Sequence, residues 1–201
     1  MALAPITFEK YHTDDYSKEL NRFFKLFLLI GVFGLTVLSI FSEETVMIFS
    51  NENYQDADLV MPILYANVLV TGLGLFSPGI NIKKKTYVSS MLVVMSSIIN
   101  GFLTYYGIQF YGLIGAAVAT FISVLSYHIL YYFIANTYFK VNLSMRSDIV
   151  FIGVHVIFII FGSYLLRFGF SINLLLKITI ALISLSWVYF KFKSVYGKNL
   201  K

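Results

Sequence analysis

The fold is decided by the stretch VSSMLVVMSSIINGFLTYYGIQFYGLIGAAVATFISVLSYHILYYFIA, which runs from Val88 to Ala135. It contains no Asp, Glu, Lys or Arg, and its apolar residues form long runs rather than an alternating pattern. A transmembrane helix needs about 20 mostly apolar residues, whereas the strands of a membrane β-barrel alternate apolar and polar positions. The stretch therefore predicts two membrane-spanning helices, Val88 to Tyr106 and Leu113 to Ala135.

The rest of the chain has the same character. Hydrophobic residues make up 58% of the 201 residues and charged residues only 12%, about half of the roughly 25% that soluble domains carry. This composition excludes a soluble enzyme, a nucleic-acid-binding domain and a disordered chain. We predict an all-α, polytopic membrane helix bundle of six transmembrane helices, at about 24–40, 59–76, 88–106, 113–135, 149–166 and 174–190.

The positive charges predict the orientation of this bundle. Of the 15 Lys and Arg residues, all but Arg167 and Lys177 fall on one side of the six spans. By the positive-inside rule that side is cytoplasmic, and both termini lie there. The cluster Lys83, Lys84 and Lys85 is then a topology signal. A nucleic-acid site is disfavoured, since no aromatic platform surrounds the cluster.

Three regions follow from this topology. Residues 1–22 are predicted to form a cytoplasmic connector with a charged surface helix, 23–192 the six-span bundle and 193–201 a basic cytoplasmic tail. Between the first two spans, Glu43 to Phe49 is compatible either with a short interfacial helix, its Val46, Met47 and Phe49 facing lipid, or with a polar loop.

Small residues in the fourth predicted span indicate a helix contact. Gly115, Ala119 and Ser123 recur every four residues and therefore share one helix face. Membrane helices associate through such small residues, because their backbones can approach closely there. We predict that this seam packs against another helix.

Polar residues form stripes on the second and third predicted spans. Such stripes face either neighbouring helices, through hydrogen bonds, or a water-filled pathway. A Lys near the outer end of the last span also has two possible roles. Its side chain either extends to the lipid headgroups or attracts an anionic headgroup or diphosphate. The candidate substrate-pathway residues are Asn67, Thr71, Ser96, Asn100, Thr104 and Lys177.

Other chemistry finds little support in the sequence. His128 and His155 lie in predicted spans without a carboxylate in a span's central section, so we predict that they pack against helices rather than relay protons. There is no Cys and no His-x-x-x-His, which argues against a metal site. No nucleophile elbow, Walker loop or Rossmann fingerprint is present. We therefore predict a non-enzyme without cofactor.

The stretch from Thr71 to Tyr132 resembles a known family. Lys84-Lys85-Thr86 follows a Gly-rich helix end, Asn100 lies in the next helix, and Tyr111 to Thr120 reads Tyr-Gly-x-x-Gly-Ala-Ala-x-Ala-Thr. This is similar to the C-terminal half of bacterial polysaccharide exporters. These are the Wzx-type flippases of the multidrug/oligosaccharidyl-lipid/polysaccharide superfamily. Thr104 and Gln109 depart from the family pattern, which has Asn and Pro there.

The resemblance implies a function. Family members have twelve to fourteen spans in two lobes and work by alternating access, so the chain would correspond to about the last six spans, a C-terminal fragment. Its expected location is the bacterial cytoplasmic (inner) membrane. Its expected partners are membrane lipids, undecaprenyl-diphosphate-linked oligosaccharide, and a missing N-terminal lobe or second copy. The alternatives are an exporter of amphipathic cations or drugs from the same superfamily and an inactive membrane remnant.

Overall fold

The computed structural model describes residues 11–12, 15–50, 57–141, 143, 148–165 and 170–196, with backbone alone at 149, 160–165, 170–173 and 195–196. Within these ranges the chain is helical and has no strand. The helices are α1 (Tyr16–Ile40), α2 (Ser42–Phe49), α3 (Met61–Leu73), α4 (Gly79–Ile82), α5 (Thr86–Tyr138), α6 (Asp148–Leu165) and α7 (Phe170–Tyr196). One 3₁₀ turn, at 57–59, precedes α3, and another, Gly74–Phe76, follows it.

The described residues are helical, as predicted, and their long apolar helices support the predicted membrane association. In the described part, four helical stretches are long and apolar enough to cross a bilayer, namely Tyr16–Ile40, Ala57–Phe76, Thr86–Tyr138 and Leu174–Ser194. A shorter apolar stretch, Val150–Ile159, lies within α6. The predicted third and fourth spans share the 53-residue helix α5. The count of six spans therefore stays a prediction.

Helix α1 begins earlier than predicted. Residues 16–22, assigned to a separate surface helix, continue without a break into the first span. Tyr16, Leu20 and Phe24 are spaced four residues apart and are all buried, so one helix face runs through the predicted boundary. At the start of α1, Lys18 Nζ donates to Asp15 Oδ1, one residue before the helix, at 2.9 Å, and this bond and the lysine charge hold the pKa of Asp15 below its usual value.

Helix α5 is interrupted at Gly112. This residue has φ 57° and ψ −136°, a backbone conformation that only glycine adopts readily. We call the residues before Gly112 the first arm of α5 and those after it the second arm. A Cβ placed on Gly115 would lie 2.0 Å from the carbonyl oxygen of Gly107. The two arms therefore touch backbone to backbone beside the break.

The contact continues away from Gly112. Ser96 in the first arm donates its hydroxyl to the carbonyl oxygen of Ser123 in the second, at 3.1 Å. Further along, Leu92 and Tyr131 belong to one apolar cluster. The contact partners lie progressively further from Gly112 in both directions along the chain. The two arms therefore run antiparallel and form a helical hairpin.

Helix α4 packs on the far end of this hairpin. A Cβ on Gly79 would lie 2.0 Å from the carbonyl oxygen of Ala135, so only glycine allows this approach. Lys84 then has a positive φ of 54°, and Lys85 Nζ lies 4.5 Å from the centre of the Tyr138 ring. The predicted topology cluster thus forms the turn from α4 into α5.

Contacts group the chain into two compact units. The hairpin unit comprises Met1–Phe24 and Ala66–Leu143, and the ion-pair unit comprises Lys25–Tyr65 and Ser144–Lys201. In the first arm, large apolar side chains such as Met91 and Phe102 are exposed, which is the surface that lipid requires.

Candidate functional site

An ion pair that is partly buried within the protein lies in the ion-pair unit. The side chain of Lys177, in α7, is 0% exposed, and its Nζ lies 2.6 Å from Glu44 Oε1 and 3.3 Å from Glu43 Oε2. Whether Lys177 extends to the headgroups or attracts an anion stays a prediction, and the structure adds that its ammonium is paired with two carboxylates. A buried ammonium is tolerated when charges pair with it, and α2 supplies two carboxylates from its first turn.

The cluster carries an excess of negative charge. Two carboxylates face one ammonium, and Glu44 Oε2 is buried with no hydrogen-bond partner among the described residues. The Glu43 side chain is 43% exposed. Lys177 would have to leave these carboxylates before it could bind an anion such as a diphosphate.

The structure also selects one alternative for the segment that carries the two glutamates. Glu43 to Phe49 lies in helix α2, so the polar-loop interpretation is wrong. Val46 is buried, contrary to the expectation that it faces lipid, while Met47 and Phe49 are exposed. Val46 is on the inward face because it lies one turn after Ser42, which is also buried.

A second buried polar contact joins α6 to α7. His155 Nε2 lies 2.8 Å from Ser184 Oγ, and His155 Nδ1 lies 2.8 Å from the carbonyl oxygen of Phe151. A carbonyl only accepts, so Nδ1 carries a proton, and in the neutral ring Nε2 accepts from the Ser184 hydroxyl. The ring nitrogens of His155 are thereby used in helix contact.

Sequence reasoning missed Ser184 and the glutamates as partners. Lys177, Ile180 and Ser184 follow an i, i+3, i+7 spacing and are all buried, so they mark the inward face of α7. That spacing was available as a signal. The identity of the partners, 29 and more than 130 residues away, was not.

In the hairpin unit, Asn67 and Thr71 lie on α3. The Thr71 hydroxyl donates to the carbonyl oxygen of Asn67 at 2.8 Å, within the same helix. Asn67 Oδ1 is buried and has no hydrogen-bond partner among the described residues. An orphaned buried acceptor is costly, so this amide oxygen can accept from a donor once neighbouring groups move and expose it.

The three candidates on the first arm differ in their contacts. Ser96 bonds to the second arm, which is the interhelical contact that its stripe allowed. The Thr104 hydroxyl donates to Asn100 Oδ1 at 3.0 Å, and both side chains are partly buried. The structure therefore pairs Asn100 with Thr104 and separates their role from that of Ser96.

The predicted small-residue seam lies in the hairpin. Gly115, Ala119 and Ser123 are all buried, and Gly115 and Ser123 contact the first arm as described above. His128, further along the second arm, bonds through Nδ1 to the carbonyl oxygen of Val124 at 2.9 Å. A Cβ on Gly74 would lie 3.2 Å from His128 Nε2, so this ring packs closely on the turn after α3.

No protein-family model, no curated protein and no solved structure matches this chain.

Proposed function

We propose that this chain is a membrane-embedded part of a transporter that moves a lipid-linked oligosaccharide across the bilayer. The helical, apolar fold supports a membrane role, and the resemblance over Thr71 to Tyr132 supports the substrate class. In this proposal six spans cross a bacterial cytoplasmic membrane, with both termini on the cytoplasmic side. Alternating access requires two lobes, so a further lobe or a second copy completes the transporter.

The single observation that carries the proposal is the unpaired amide oxygen of Asn67 inside an apolar helix. Sugar hydroxyls are donors, and a carboxamide oxygen accepts from them without introducing charge. The Asn100 and Thr104 pair adds a second neutral polar group to the same unit. Lys177 has a weaker place in the proposal, because its charge is already paired.

Complementation tests the proposal. A strain that lacks its oligosaccharide flippase receives the full-length gene, which supplies this chain together with any further lobe, and glycan export is measured together with the amount of membrane-inserted protein. We expect export to be restored by the original gene and lost with Asn67→Leu plus Asn100→Leu. Ser97→Leu is the matched control, since Ser97 is exposed and its hydroxyl donates to the carbonyl oxygen of Val93 in its own helix.

Two results would overturn the proposal in different ways. Unchanged export in the double variant would make Asn67 and Asn100 packing residues. Resistance to amphipathic cations without glycan export would favour the cation exporter.

A further inference from the structure

The end of helix α2 projects an apolar patch. Met47, Ile48 and Phe49 are 67%, 75% and 85% exposed. Successive residues of an α-helix are about 100° apart, so three in a row cover most of its circumference. The last turn of α2 is therefore exposed on nearly all sides. Transfer of such side chains from water to an apolar environment is favourable.

The opposite end of α2 is fixed. Its first turn carries Glu43 and Glu44, which hold Lys177 of α7 through the contacts of 3.3 and 2.6 Å. Ser42 and Val46 are buried. Helix α2 thus has one defined orientation, with its acidic start attached to α7 and its apolar end pointing away from the protein.

The position of α2 along the chain places it at the edge of the membrane. Lys25 and Glu43 bracket an uncharged, mostly apolar run at 26–42, which is 17 residues and about 26 Å long as a helix, close to the roughly 30 Å thickness of the hydrocarbon core. The end of α1 therefore reaches the headgroup region. Only Phe41 separates α1 from α2, so α2 begins where the first apolar helix ends.

We propose that α2 is an interfacial helix and that Met47, Ile48 and Phe49 insert among the lipid acyl chains just below the headgroups. Short amphipathic helices bind membranes in this way, with one face among the acyl chains. The residues from Ser42 to Ser50 include no Lys or Arg, and the cluster at the start of α2 has an excess negative charge. The partner is therefore the acyl region of the bilayer, whatever the charge of its headgroups.

Tryptophan fluorescence in vesicles tests this placement. Trp187 is the single Trp of the chain, so Trp187→Phe gives a silent background into which Phe49→Trp is introduced. Ile30→Trp, at an exposed position in α1, marks the deep membrane, and His12→Trp, outside the helices, marks water. The vesicles are phosphatidylcholine brominated either near the headgroup or near the chain end, with acrylamide as aqueous quencher.

We expect the Trp at 49 to be quenched most by bromine near the headgroup and several-fold less by acrylamide than the Trp at 12. The Trp at 30 should respond most to bromine near the chain end. Adding anionic phosphatidylglycerol should leave the pattern at 49 unchanged. Quenching by acrylamide equal to that at 12 would overturn the proposal. Loss of lipid quenching as the protein-to-lipid ratio rises would also overturn it, since a second copy would then cover the patch.

This inference needs only the membrane character of the chain. The fluorescence experiment contains no glycan substrate, so its result does not depend on whether the protein transports glycans. Helix content by circular dichroism, compared among the three single-Trp variants, confirms that each folds like the parent.

Discussion

Lys177 Nζ lies 2.6 Å from Glu44 Oε1, although 133 residues separate them in the sequence. This contact ties the start of α2 to α7 inside the ion-pair unit. A buried charge without an opposite charge beside it has a high free energy, because it has lost its hydration and gained no replacement. Pairing lowers the free energy of both the ammonium and the carboxylate. The pair therefore fixes a helix end that apolar packing alone would leave free to rotate.

Removing the ammonium should destabilise the ion-pair unit. Lys177→Met leaves two carboxylates facing each other without a cation, and we expect the free energy of unfolding to fall by about 3 kcal/mol. The triple variant Lys177→Met, Glu43→Gln, Glu44→Gln removes every charge and should recover most of the loss. Unfolding in mixed micelles, followed by circular dichroism, measures both. A stability of Lys177→Met equal to that of the parent would contradict the prediction.

The close contact between the arms of α5 should tolerate no side chain. Gly115→Ala puts a Cβ 2.0 Å from the carbonyl oxygen of Gly107, so the arms must separate, at a cost of about 1–3 kcal/mol. Gly101→Ala is the control, because a Cβ there meets nothing within 4 Å. It should stabilise the first arm by up to about 1 kcal/mol. The same micelle unfolding experiment measures the difference between the two variants. If the two behave alike, the arms do not pack as described.

The break between the arms depends on backbone conformation alone. At Gly112 an added Cβ would again meet nothing within 4 Å, but φ is +57°. We expect Gly112→Ala to cost about 1–3 kcal/mol through backbone strain. Comparison with Gly101→Ala, which has the same open space in a regular helix, isolates that strain. A neutral result would show that the chain turns elsewhere.

The sequence allowed the helices to be predicted more fully than their partners. The apolar runs on either side of Gly112 predicted both arms, since length and hydropathy are local properties. The start of α1 was misplaced, because the charges near Lys18 suggested a surface helix while the buried stripe through Leu20 continued inward. The pairing of Lys177 with Glu44 was missed, because periodicity shows which face is buried and not which distant residue meets it.

The candidate site follows the same division. Asn67 and Asn100 were identified because an amide in an apolar run is unusual, and this is visible in a single sequence. Whether each amide has a partner depends on the positions of neighbouring helices. Asn100 Oδ1 accepts from Thr104 one turn away, whereas Asn67 Oδ1 has no donor among the described residues.

The last prediction concerns the bond between His155 and Ser184. Ser184→Ala removes the donor and leaves His155 Nε2 buried without a partner, which should cost about 1–3 kcal/mol. In His155→Phe, the loss of this hydrogen bond should destabilise the protein less than it does in Ser184→Ala. The Ser184 hydroxyl that remains can turn and donate to a carbonyl oxygen of its own helix. A double-mutant cycle in mixed micelles measures the coupling, expected near 1 kcal/mol.

Ser186→Ala serves as the control for that cycle. Ser186 is exposed on the same helix and donates to the carbonyl oxygen of Ile183 at 2.8 Å, so its removal leaves no buried group unpaired and should change stability by less than about 0.5 kcal/mol. A coupling of zero between His155 and Ser184, with Ser184→Ala no worse than Ser186→Ala, would mean that the 2.8 Å contact does not hold α6 to α7. Apolar packing around Phe151 would then have to account for that contact by itself.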